Sequence, residues 1–351
     1  MEQNLPAAER HVPVLLERCV DLLAPALEGA GEPTGVAEAA PVFVDGTLGM
    51  GGHTEAVLER CPQARAIGID RDPQALALAS ERLARFGDRF TPVHSVSDDI
   101  PAVLAELGLS RAHAILFDLG VSSLQLDELE RGFAYRADAP LDMRMDQGEG
   151  PTAADVLNTY EPRELERILK EYGEERFARP IVRAIVRRRA DEPFTTSGPL
   201  VELLHDVVPA ASQRSGGHPA KRTFQALRIE VNAELSVWRE GLEAALSALA
   251  VGGRIVILSY HSLEDRITKR GLAEGATSSA PPDLPFELPE HAPWLRLLVR
   301  GAEQADADEV ARNPRSASVR LRVAERTRAT PDQSQNPSAQ HDPAHHHEVS
   351  R

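Results

Sequence analysis

Residues 42–53 of the chain read VFVDGTLGMGGH, in which four glycines and an acidic residue follow a short apolar run. The apolar run begins at Val42 and is followed by Asp45, and a helix-like segment, Thr54 to Arg60, comes after the glycines. A strand, a glycine-rich turn and a helix in this order are typical of open α/β sheets, where such a turn lets the backbone approach a nucleotide-like ligand. The stretch therefore predicts both the fold class and the place of a ligand site.

Short apolar runs alternate with helical patterns as far as residue 118. We predict strands at Val42–Asp45, Ala64–Asp70, Phe90–His94 and Ala112–Asp118, with helices opening near Asp72-Pro73 and at Ala102. A proline suits the first turn of a helix because it needs no partner for its missing N–H. Strands that alternate with helices indicate a parallel, doubly wound sheet.

The alternation stops after the fourth strand. Residues 119–145 have loop character, 152–205 are helical in pattern, and 211–221 again resemble a loop. A long helix at Phe224–Leu249, a fifth strand at Arg254–Ser259 and strand candidates at Leu295–Arg300 and Ser318–Ala324 follow. The simplest topology is one α/β sheet with an all-helical subdomain inserted after strand four, because strand-end loops tolerate insertions.

These patterns divide the chain into five parts. They are an N-terminal helix (from His11) and linker at 1–40, the α/β domain at 41–137 and 224–326, a helical substrate-binding insert at 138–223, and a tail at 327–351. The tail is polar and rich in Pro, Gln, Ser and His, so we expect it to be disordered. Its run His345–His347 has no fixed partner nearby, and we expect no bound metal.

Composition excludes several classes of protein. The chain has 351 residues, and 42% of them are hydrophobic. This length and this hydrophobic fraction are typical of globular proteins. A net charge of -15 argues against binding nucleic acid over the whole surface, but not against binding through a local basic face. Cys19 and Cys61 are too few for a disulfide scaffold and show no metal-ligand spacing. With so few cysteines a reducing cytoplasm is expected. No apolar run has membrane-spanning length.

The glycine loop can be compared with three kinds of nucleotide loop. A phosphate-binding P-loop needs a lysine, which this stretch lacks. A dinucleotide loop needs Gly-x-Gly-x-x-Gly, and the third position here is Thr54. What remains resembles the acidic-residue-plus-glycine loop of class I methyltransferases, which have a Rossmann-like fold and bind S-adenosylmethionine.

Three predicted parallel strands end in aspartate, at Asp45, Asp70 and Asp118. Such strand ends converge on one crevice, and three carboxylates there suit ribose hydroxyls and a cationic amino group better than a pyrophosphate. The plainer alternative is that each aspartate caps the helix or turn after it.

Further motifs extend the resemblance from about residue 10 to residue 328. They are HVPVLL (11–16), DLGVSSLQLD (118–127), ERGF (130–133), PLDMRMD (140–146), YGEERFA (172–178), HPAKRTFQALRI (218–229), SYHSLEDR (259–266), NPR (313–315) and RVAER (322–326). In number and order these motifs resemble those of the family of bacterial ribosomal RNA small-subunit methyltransferase H, the cytosine-N4 enzymes. The resemblance implies methyl transfer from S-adenosylmethionine to the exocyclic amino nitrogen of a cytidine in the decoding region of small-subunit (16S) ribosomal RNA.

The resemblance also implies a set of cofactor-site residues. By motif position they are Gly51, Gly52, His53, Asp70, Ser97, Asp118 and Gln125. Ser97 stands where the family is often aromatic, so a stacking contact with adenine is not expected there. Tyr260 stands where phenylalanine is also common, which adds a hydroxyl group.

A proton acceptor for the target amine cannot be identified from a known motif, because strand four is followed by Asp-Leu-Gly-Val and not by Asp-Pro-Pro-aromatic. Asp142 and His261 are the candidates, since both lie in resemblance motifs and His261 follows strand five. The alternatives are that Asp142 pairs with Arg144 and that His261 caps the helix after it.

The basic residues between positions 176 and 228 provide candidate RNA contacts. We select Arg187, Arg188, Lys221 and Arg222 for phosphates and Tyr260 for stacking on the base. A solvated helix face is the alternative for the arginines. Two other functions stay open at this point: a methyltransferase for a small molecule or protein, and a non-catalytic nucleotide-binding or ribosome-assembly protein. The sequence does not indicate whether the substrate is free RNA or a nearly assembled small subunit, nor whether the chain is a monomer or a dimer.

Overall fold

The protein is built on one seven-stranded sheet. The computed structural model describes residues 12–29, 40–216, 218–281 and 288–329. The strands are β1 (Val42–Asp45), β2 (Arg65–Asp70), β3 (Phe90–His94), β4 (Ala112–Asp118), β5 (Leu249–Ser259), β6 (Leu295–Leu297) and β7 (Arg320–Arg326). Their order is β3-β2-β1-β4-β5-β7-β6, with β1 to β5 parallel and β7 antiparallel to both of its neighbours. The predicted doubly wound, mostly parallel α/β fold is confirmed.

Helices cover the sheet and fill the segment between β4 and β5. They are α1 (Leu16–Glu28), α2 (Gly52–Arg60), α3 (Pro73–Leu83), α4 (Ile100–Glu106), α5 (Ser123–Asp127), α6 (Ala153–Thr159), α7 (Pro162–Glu171), α8 (Ala178–Asp191), α9 (Ser197–Val207), α10 (Ala210–Gly216), α11 (Ala220–Val231), α12 (Glu234–Ala248), α13 (Ser262–Gly275) and α14 (Ala307–Arg312). None of the helices in the described ranges is long and apolar enough to span a membrane.

The sheet is buried on both faces. Val44, Ile67 and Ile115 belong to a core that includes Trp238 and Leu242 of α12. The alternate residues, among them Phe43, Ala66 and Leu116, pack with Leu23 of α1 and Leu58 of α2. Side chains alternate between the faces of a strand, so continuous apolar runs are what a sheet covered on both sides requires.

The helices after β4 have a hydrophobic core of their own. Its buried members extend from Phe133 to Leu227 and include Leu165 of α7, Ile185 of α8 and Leu204 of α9. Val121, just after β4, packs against this core. The insert is therefore a cluster of helices with an independent apolar centre, joined to the sheet close to the end of β4.

Strand boundaries agree closely with the prediction. β1, β3 and β4 have the predicted limits, and β2 begins one residue later, at Arg65. The fifth strand begins earlier than predicted, at Leu249, because Leu249 pairs with Ala112 across a register shift. The sixth is shorter than predicted and ends at Leu297.

Three predictions outside the strands were wrong. The single long helix over residues 224–249 is two helices, because the Asn232 side chain bonds to a neighbouring loop and Ala233 has a left-handed backbone with φ 50°. Residues 210–216 form α10, where a loop was expected. The region predicted as a loop after β4 contains the short helix α5, closed by a capping box from Ser122.

Several predictions concern residues outside the described ranges. They are the start of the first helix at His11, most of the linker at 28–40, and the tail from residue 330 onward with its three histidines.

Candidate active site

The glycine loop closes the carboxyl edge of the sheet beside β1. Gly51 caps α2 with φ 76° and donates its N–H to the Leu48 carbonyl oxygen over 2.8 Å. Gly49 is also left-handed, with φ 51°. A Cβ atom on Gly52 would lie 2.4 Å from Pro13 Cγ, a distance that side chains do not adopt. Glycine is therefore required at Gly51 by conformation and at Gly52 by the close approach of the N-terminal segment.

Asp45 holds this loop from inside the protein. Its carboxylate accepts a hydrogen bond from Thr54 Oγ1 at 2.7 Å and from the Thr47 N–H at 3.2 Å. Burial raises the pKa of Asp45 to about 6. These contacts fit the alternative in which a strand-end aspartate caps the turn or helix after it, because Asp45 joins β1 to α2 through Thr54.

Asp70 holds the loop from the next strand. One oxygen accepts the Gly49 N–H at 2.8 Å and the other accepts the Asp72 N–H at 2.9 Å. Burial raises the pKa of Asp70 to about 6. Each carboxylate oxygen has a second lone pair, so the side chain can still accept hydrogen bonds from ribose hydroxyls.

Asp118 lies across the crevice at the end of β4. Its Oδ1 accepts a hydrogen bond of 2.5 Å from the Tyr260 hydroxyl, and its Oδ2 lies 3.9 Å from His53 Nδ1. The side chain is 22% exposed, whereas the Asp45 residue is 1% exposed. Burial raises the pKa of Asp118 to about 7. The strand order reverses between β1 and β4, and ligands of open α/β sheets bind at such a point.

The His53 ring is held in place through Nε2, the ring nitrogen that does not face Asp118. Its Nε2 lies 3.0 Å from the Val14 carbonyl oxygen, and the ring is buried in the first turn of α2. Burial lowers the pKa of His53, so the ring is neutral near pH 7. His53, Asp118 and Tyr260 thus come together from α2, β4 and the turn after β5.

Gln125 and Ser97, also predicted for the cofactor site, make internal contacts. Gln125 is 4% exposed; its Oε1 accepts the Ser122 N–H and its Nε2 donates to Asp72 Oδ2 at 3.0 Å. Ser97 begins a short 3-10 turn and packs so closely on α12 that a Cβ atom on Gly241 would lie 2.6 Å from Ser97 Oγ. Gln125 supports the turn after β2 through Asp72, and Ser97 brings the turn after β3 against α12.

Asp142 pairs with Arg144, which is the alternative to a role as proton acceptor. Its two oxygens accept from Arg144 Nε at 2.8 Å and Arg144 Nη2 at 2.9 Å, and Gln147 donates over 3.2 Å. Partial burial opposes the shift, but the hydrogen bonds from Arg144 hold the pKa of Asp142 below its usual value.

His261 also has a structural role. It is the N-cap of α13 in a reciprocal capping box with Glu264, and its Nε2 lies 3.0 Å from Glu264 Oε1. Glu234, His261 and Glu264 could together reach one metal ion, but Arg228 already donates to both oxygens of Glu234. This group is therefore an ion-pair network that fixes the turn carrying Tyr260.

The predicted RNA residues lie in different surroundings. Arg187 and Lys221 are exposed. Arg188 lies 3.9 Å from Glu192, and Arg222 donates to the Glu174 carbonyl oxygen at 2.9 Å. The Glu174 carboxylate in turn accepts from Ser262 Oγ at 2.9 Å, so Arg222 is two contacts away from the turn that carries Tyr260.

Two buried side chains near the site were missed by the sequence analysis. Arg131 forms a buried ion pair of 2.8 Å with Asp72 and also donates to the Met145 carbonyl oxygen. Asn232 accepts the Met145 N–H and donates to the Met143 carbonyl oxygen, both over 2.8 Å. The motifs ERGF and PLDMRMD indicate Arg131 and the loop around Met143 and Met145. The sequence alone does not reveal which distant side chains form hydrogen bonds with the backbone of that loop.

Comparison with known proteins gives a consistent result. The model of the MraW methylase family matches residues 8–327. Three curated relatives carry the name ribosomal RNA small subunit methyltransferase H. The protein from Nocardioides sp. is 63% identical over 90% of this chain and 97% of its own length. Those from Saccharopolyspora erythraea and Beutenbergia cavernae are 62% and 61% identical, over 91% and 93% of this chain and 94% and 95% of their own lengths.

The family model spans nearly all of the described chain, and the relatives share more than half of its residues over nearly their whole length. The chain belongs to the MraW methylase family.

Proposed function

We propose that the protein transfers a methyl group from S-adenosylmethionine to the exocyclic amino nitrogen, N4, of a cytidine in the decoding region of small-subunit ribosomal RNA. Family membership and the names of the relatives support the substrate class. The observation that carries the proposal is the glycine loop at the carboxyl edge of the sheet, where the strand order reverses between β1 and β4. There the Gly49 N–H donates to Asp70, and the Asp118 N–H donates to the Thr47 hydroxyl. Such an enzyme would act in the bacterial cytoplasm on an assembled or nearly assembled small subunit.

The residues of the crevice fit S-adenosylmethionine. Asp70 offers free lone pairs to a ribose, and Gly49 and Gly51 keep side chains away from the ligand. The raised pKa of Asp118 reflects a buried carboxylate, and a cationic ligand beside it would lower that pKa again. When bound, the cofactor supplies an electrophilic methyl group on a sulfonium.

The protein's contribution is to position the two reactants. In-line alignment of a nucleophile with a methyl group can lower a barrier by on the order of 7–11 kcal/mol at the limit. The cytosine amino nitrogen is a weak nucleophile, so an acceptor for one of its protons would assist the transfer. The base must first leave its stack, which costs a few kcal/mol, and Tyr260 at the crevice could stack on it.

Asp142 and His261 remain the proposed proton acceptors from the sequence, and each is tested by substitution. Turnover and cofactor affinity are measured for Asp142→Asn and His261→Ala, together with the free energy of unfolding. That last measurement is needed because Asp142 anchors Arg144 and His261 caps α13. A variant that retains near-normal turnover excludes its residue as the acceptor.

The insert is proposed to bind the RNA. Lys221 and Arg222 lie in the first turn of α11, and Arg222 donates to the Glu174 carbonyl oxygen. The Glu174 carboxylate accepts from Ser262, two residues after Tyr260. Arg187 extends the basic surface along α8. Arginine and lysine neutralise phosphates without reading sequence, so these contacts would position the subunit while the crevice selects the base.

The experiment for the proposed function uses small ribosomal subunits from a strain without this protein. They are incubated with the purified protein and labelled cofactor, and the methylated nucleotide is located. Naked 16S RNA serves as the parallel substrate. Label on a decoding-region cytidine supports the proposal, and label on protein alone contradicts it.

A further inference from the structure

Three aromatic rings meet on the helical insert. Tyr135 and His218 are stacked, with ring centres 4.6 Å apart and ring planes 25° from parallel. His205 of α9 meets His218 edge to face, with the ring centres 5.6 Å apart and the planes at 85°. Tyr135 comes from the loop after β4 and His218 from the segment before α11, so the ring cluster (Tyr135, His205 and His218) joins three separate parts of the chain.

The ring cluster extends from the core of the insert to its surface. Tyr135 contacts Phe224 edge to face, with the ring centres 5.4 Å apart, and Phe224 is only 4% exposed. His205 and His218 are exposed. Packing in the core accounts for Tyr135, but it does not account for two exposed imidazole rings held at defined angles beside it.

The His218 ring is fixed and uncharged. Its Nδ1 accepts the Ala220 N–H at 3.2 Å, which sets the orientation of the ring. Burial, followed by the neighbouring His205, lowers the pKa of His218, so the ring is neutral near pH 7. Unpaired RNA bases stack on flat rings of this kind, histidine included, because every base has a π face.

Cations lie directly beside the ring cluster. Lys221 and Arg222 follow His218 in the first turn of α11, and both are exposed. Arg222 donates to the Glu174 carbonyl oxygen, and the Glu174 carboxylate accepts from Ser262, close to the crevice. Rings that stack on bases next to cations that neutralise phosphates are the combination that binds single-stranded nucleic acid.

We propose that Tyr135, His205 and His218 form a stacking site for an unpaired base of the RNA substrate. The base belongs to a nucleotide that flanks the methylated cytidine, because the cytidine itself must enter the crevice beside Asp118. The proposal rests on the proposed function, which supplies the RNA. Stacking is tolerant of sequence, so this site holds the strand and leaves the choice of base to the crevice.

The test uses two variants that separate the ring of His218 from its hydrogen bond. His218→Asn removes the ring and keeps an acceptor for the Ala220 N–H, whereas His218→Phe keeps a ring and removes the acceptor. Fluorescence anisotropy measures binding to a short single-stranded RNA and to the same strand with abasic sites in place of its bases. Low salt makes binding through phosphates alone measurable. Filter binding with small subunits and thermal melts complete the comparison.

We expect the ring, and not the acceptor, to decide affinity. His218→Asn should weaken binding to the single strand and to small subunits by roughly tenfold, as expected for one lost base stack, while His218→Phe stays within about twofold. On the abasic strand the unmodified protein and both variants should bind equally. The Tm should show the opposite order, with His218→Phe lower than His218→Asn, because only His218→Phe loses the acceptor.

Three results would overturn the inference. Normal affinity in His218→Asn with a loss in His218→Phe would assign His218 to the start of α11. An equal loss for His218→Asn on the abasic strand would assign it to a phosphate, and a loss on small subunits alone would assign the rings to a ribosomal protein.

These binding measurements require no methyl transfer. If the unmodified protein binds RNA in the expected pattern but methylates no cytidine, the proposed function fails and the stacking site stands. If it methylates the decoding region while all the variants bind alike, the stacking site fails and the function stands.

Discussion

The three aspartates at the carboxyl edge of the sheet have different roles because their surroundings differ. Asp45 is enclosed and bonds to Thr54, and Asp70 divides its oxygens between two backbone N–H groups. Asp118 accepts the Tyr260 hydroxyl hydrogen, and its side chain is 22% exposed. The same residue type at equivalent strand ends therefore supports the loop in one case and faces the crevice in another.

The first prediction at this scale concerns pH. In the free protein the pKa of Asp118 is raised from 3.8 to about 7 and that of Asp70 to about 6. Between the unfolded and folded values the folded state binds more protons, so the free energy of unfolding falls as pH rises through this window. A cationic cofactor favours the ionised carboxylates, so its stabilising effect should grow over the same window.

Thermal melts with and without S-adenosylmethionine check this prediction. We expect the increase in Tm on adding the cofactor to be larger at about pH 8 than at about pH 5.5. Asp118→Asn should reduce the pH dependence. An increase in Tm that is the same at both pH values would contradict the assignment of these carboxylates to the cofactor.

The second prediction compares two glycines with the same backbone conformation. Gly51 and Gly150 both have φ 76°, but a Cβ atom on Gly51 would lie 3.0 Å from Leu83 Cδ1, whereas nothing lies within 4 Å of one on Gly150. Alanine should cost about 1–2 kcal/mol in the free energy of unfolding at either position. Only Gly51→Ala should also weaken cofactor binding, measured by calorimetry. Equal cofactor affinity in the two variants would show that the loop does not bind the cofactor.

At the scale of elements, the junction between α11 and α12 shows how the insert is joined to the sheet. The break at Asn232 brings its amide group against the loop at Met143 and Met145, and Arg71 donates to the Asn232 carbonyl oxygen at 2.8 Å. The loop, the end of the insert and the turn after β2 therefore meet at one buried residue, the loop at its side chain and Arg71 at its backbone carbonyl.

Replacing this side chain tests the junction. Asn232→Ala leaves the Met145 N–H and the Met143 carbonyl without their partner, so we expect a loss of about 1–3 kcal/mol in the free energy of unfolding. Urea denaturation measures it. Asn232→Asp is the matched variant: it keeps an acceptor for Met145 but sets a buried carboxylate oxygen against the Met143 and Arg228 carbonyl oxygens, so it should lose at least as much. Full stability in Asn232→Ala would mean that the junction is held by other contacts.

The same junction shows which parts of the fold a sequence can predict. Strands β1, β3 and β4 were predicted with the limits they have because each is a buried apolar run bounded by turn residues. The break at Asn232 was missed because 224–249 has continuous helical spacing and the cause lies in a loop about 90 residues earlier in the chain. Local patterns do not contain such long-range hydrogen bonds.

The candidate site shows the same limit. The glycine loop and the three strand-end aspartates were predicted because each lies beside a strand pattern. The bond from Tyr260 to Asp118 joins residues 142 positions apart, and the orientation of His53 depends on the Val14 carbonyl, so neither could be inferred from spacing.

At the scale of the whole molecule, an acidic protein must concentrate its cations to bind RNA. The net charge is -15, but Arg183, Arg187 and Lys221 are exposed on the insert. Arg189 differs from them, because it donates to the carbonyl oxygens of Leu157 and Tyr160 and so supports the insert itself.

Replacing the three exposed residues by alanine should weaken binding to small subunits. The slope of log affinity against log salt concentration should fall by about one for each phosphate that the variant no longer neutralises. Filter binding at several salt concentrations measures both quantities. Arg189→Ala is the contrasting variant, and we expect it to lower the stability of the insert. An unchanged affinity and slope in the triple variant would exclude this face as the RNA surface.

The central claim, methylation of a small-subunit cytidine at N4, is tested most directly by mass spectrometry of 16S RNA. Subunits from a strain without the protein are incubated with the protein and S-adenosylmethionine, and the nucleosides of the decoding region are analysed. We predict one added methyl group on the exocyclic nitrogen of a single cytidine. A methyl group on a ring carbon, on a ribose or on another nucleotide, or no methyl group in the RNA, would contradict the claim.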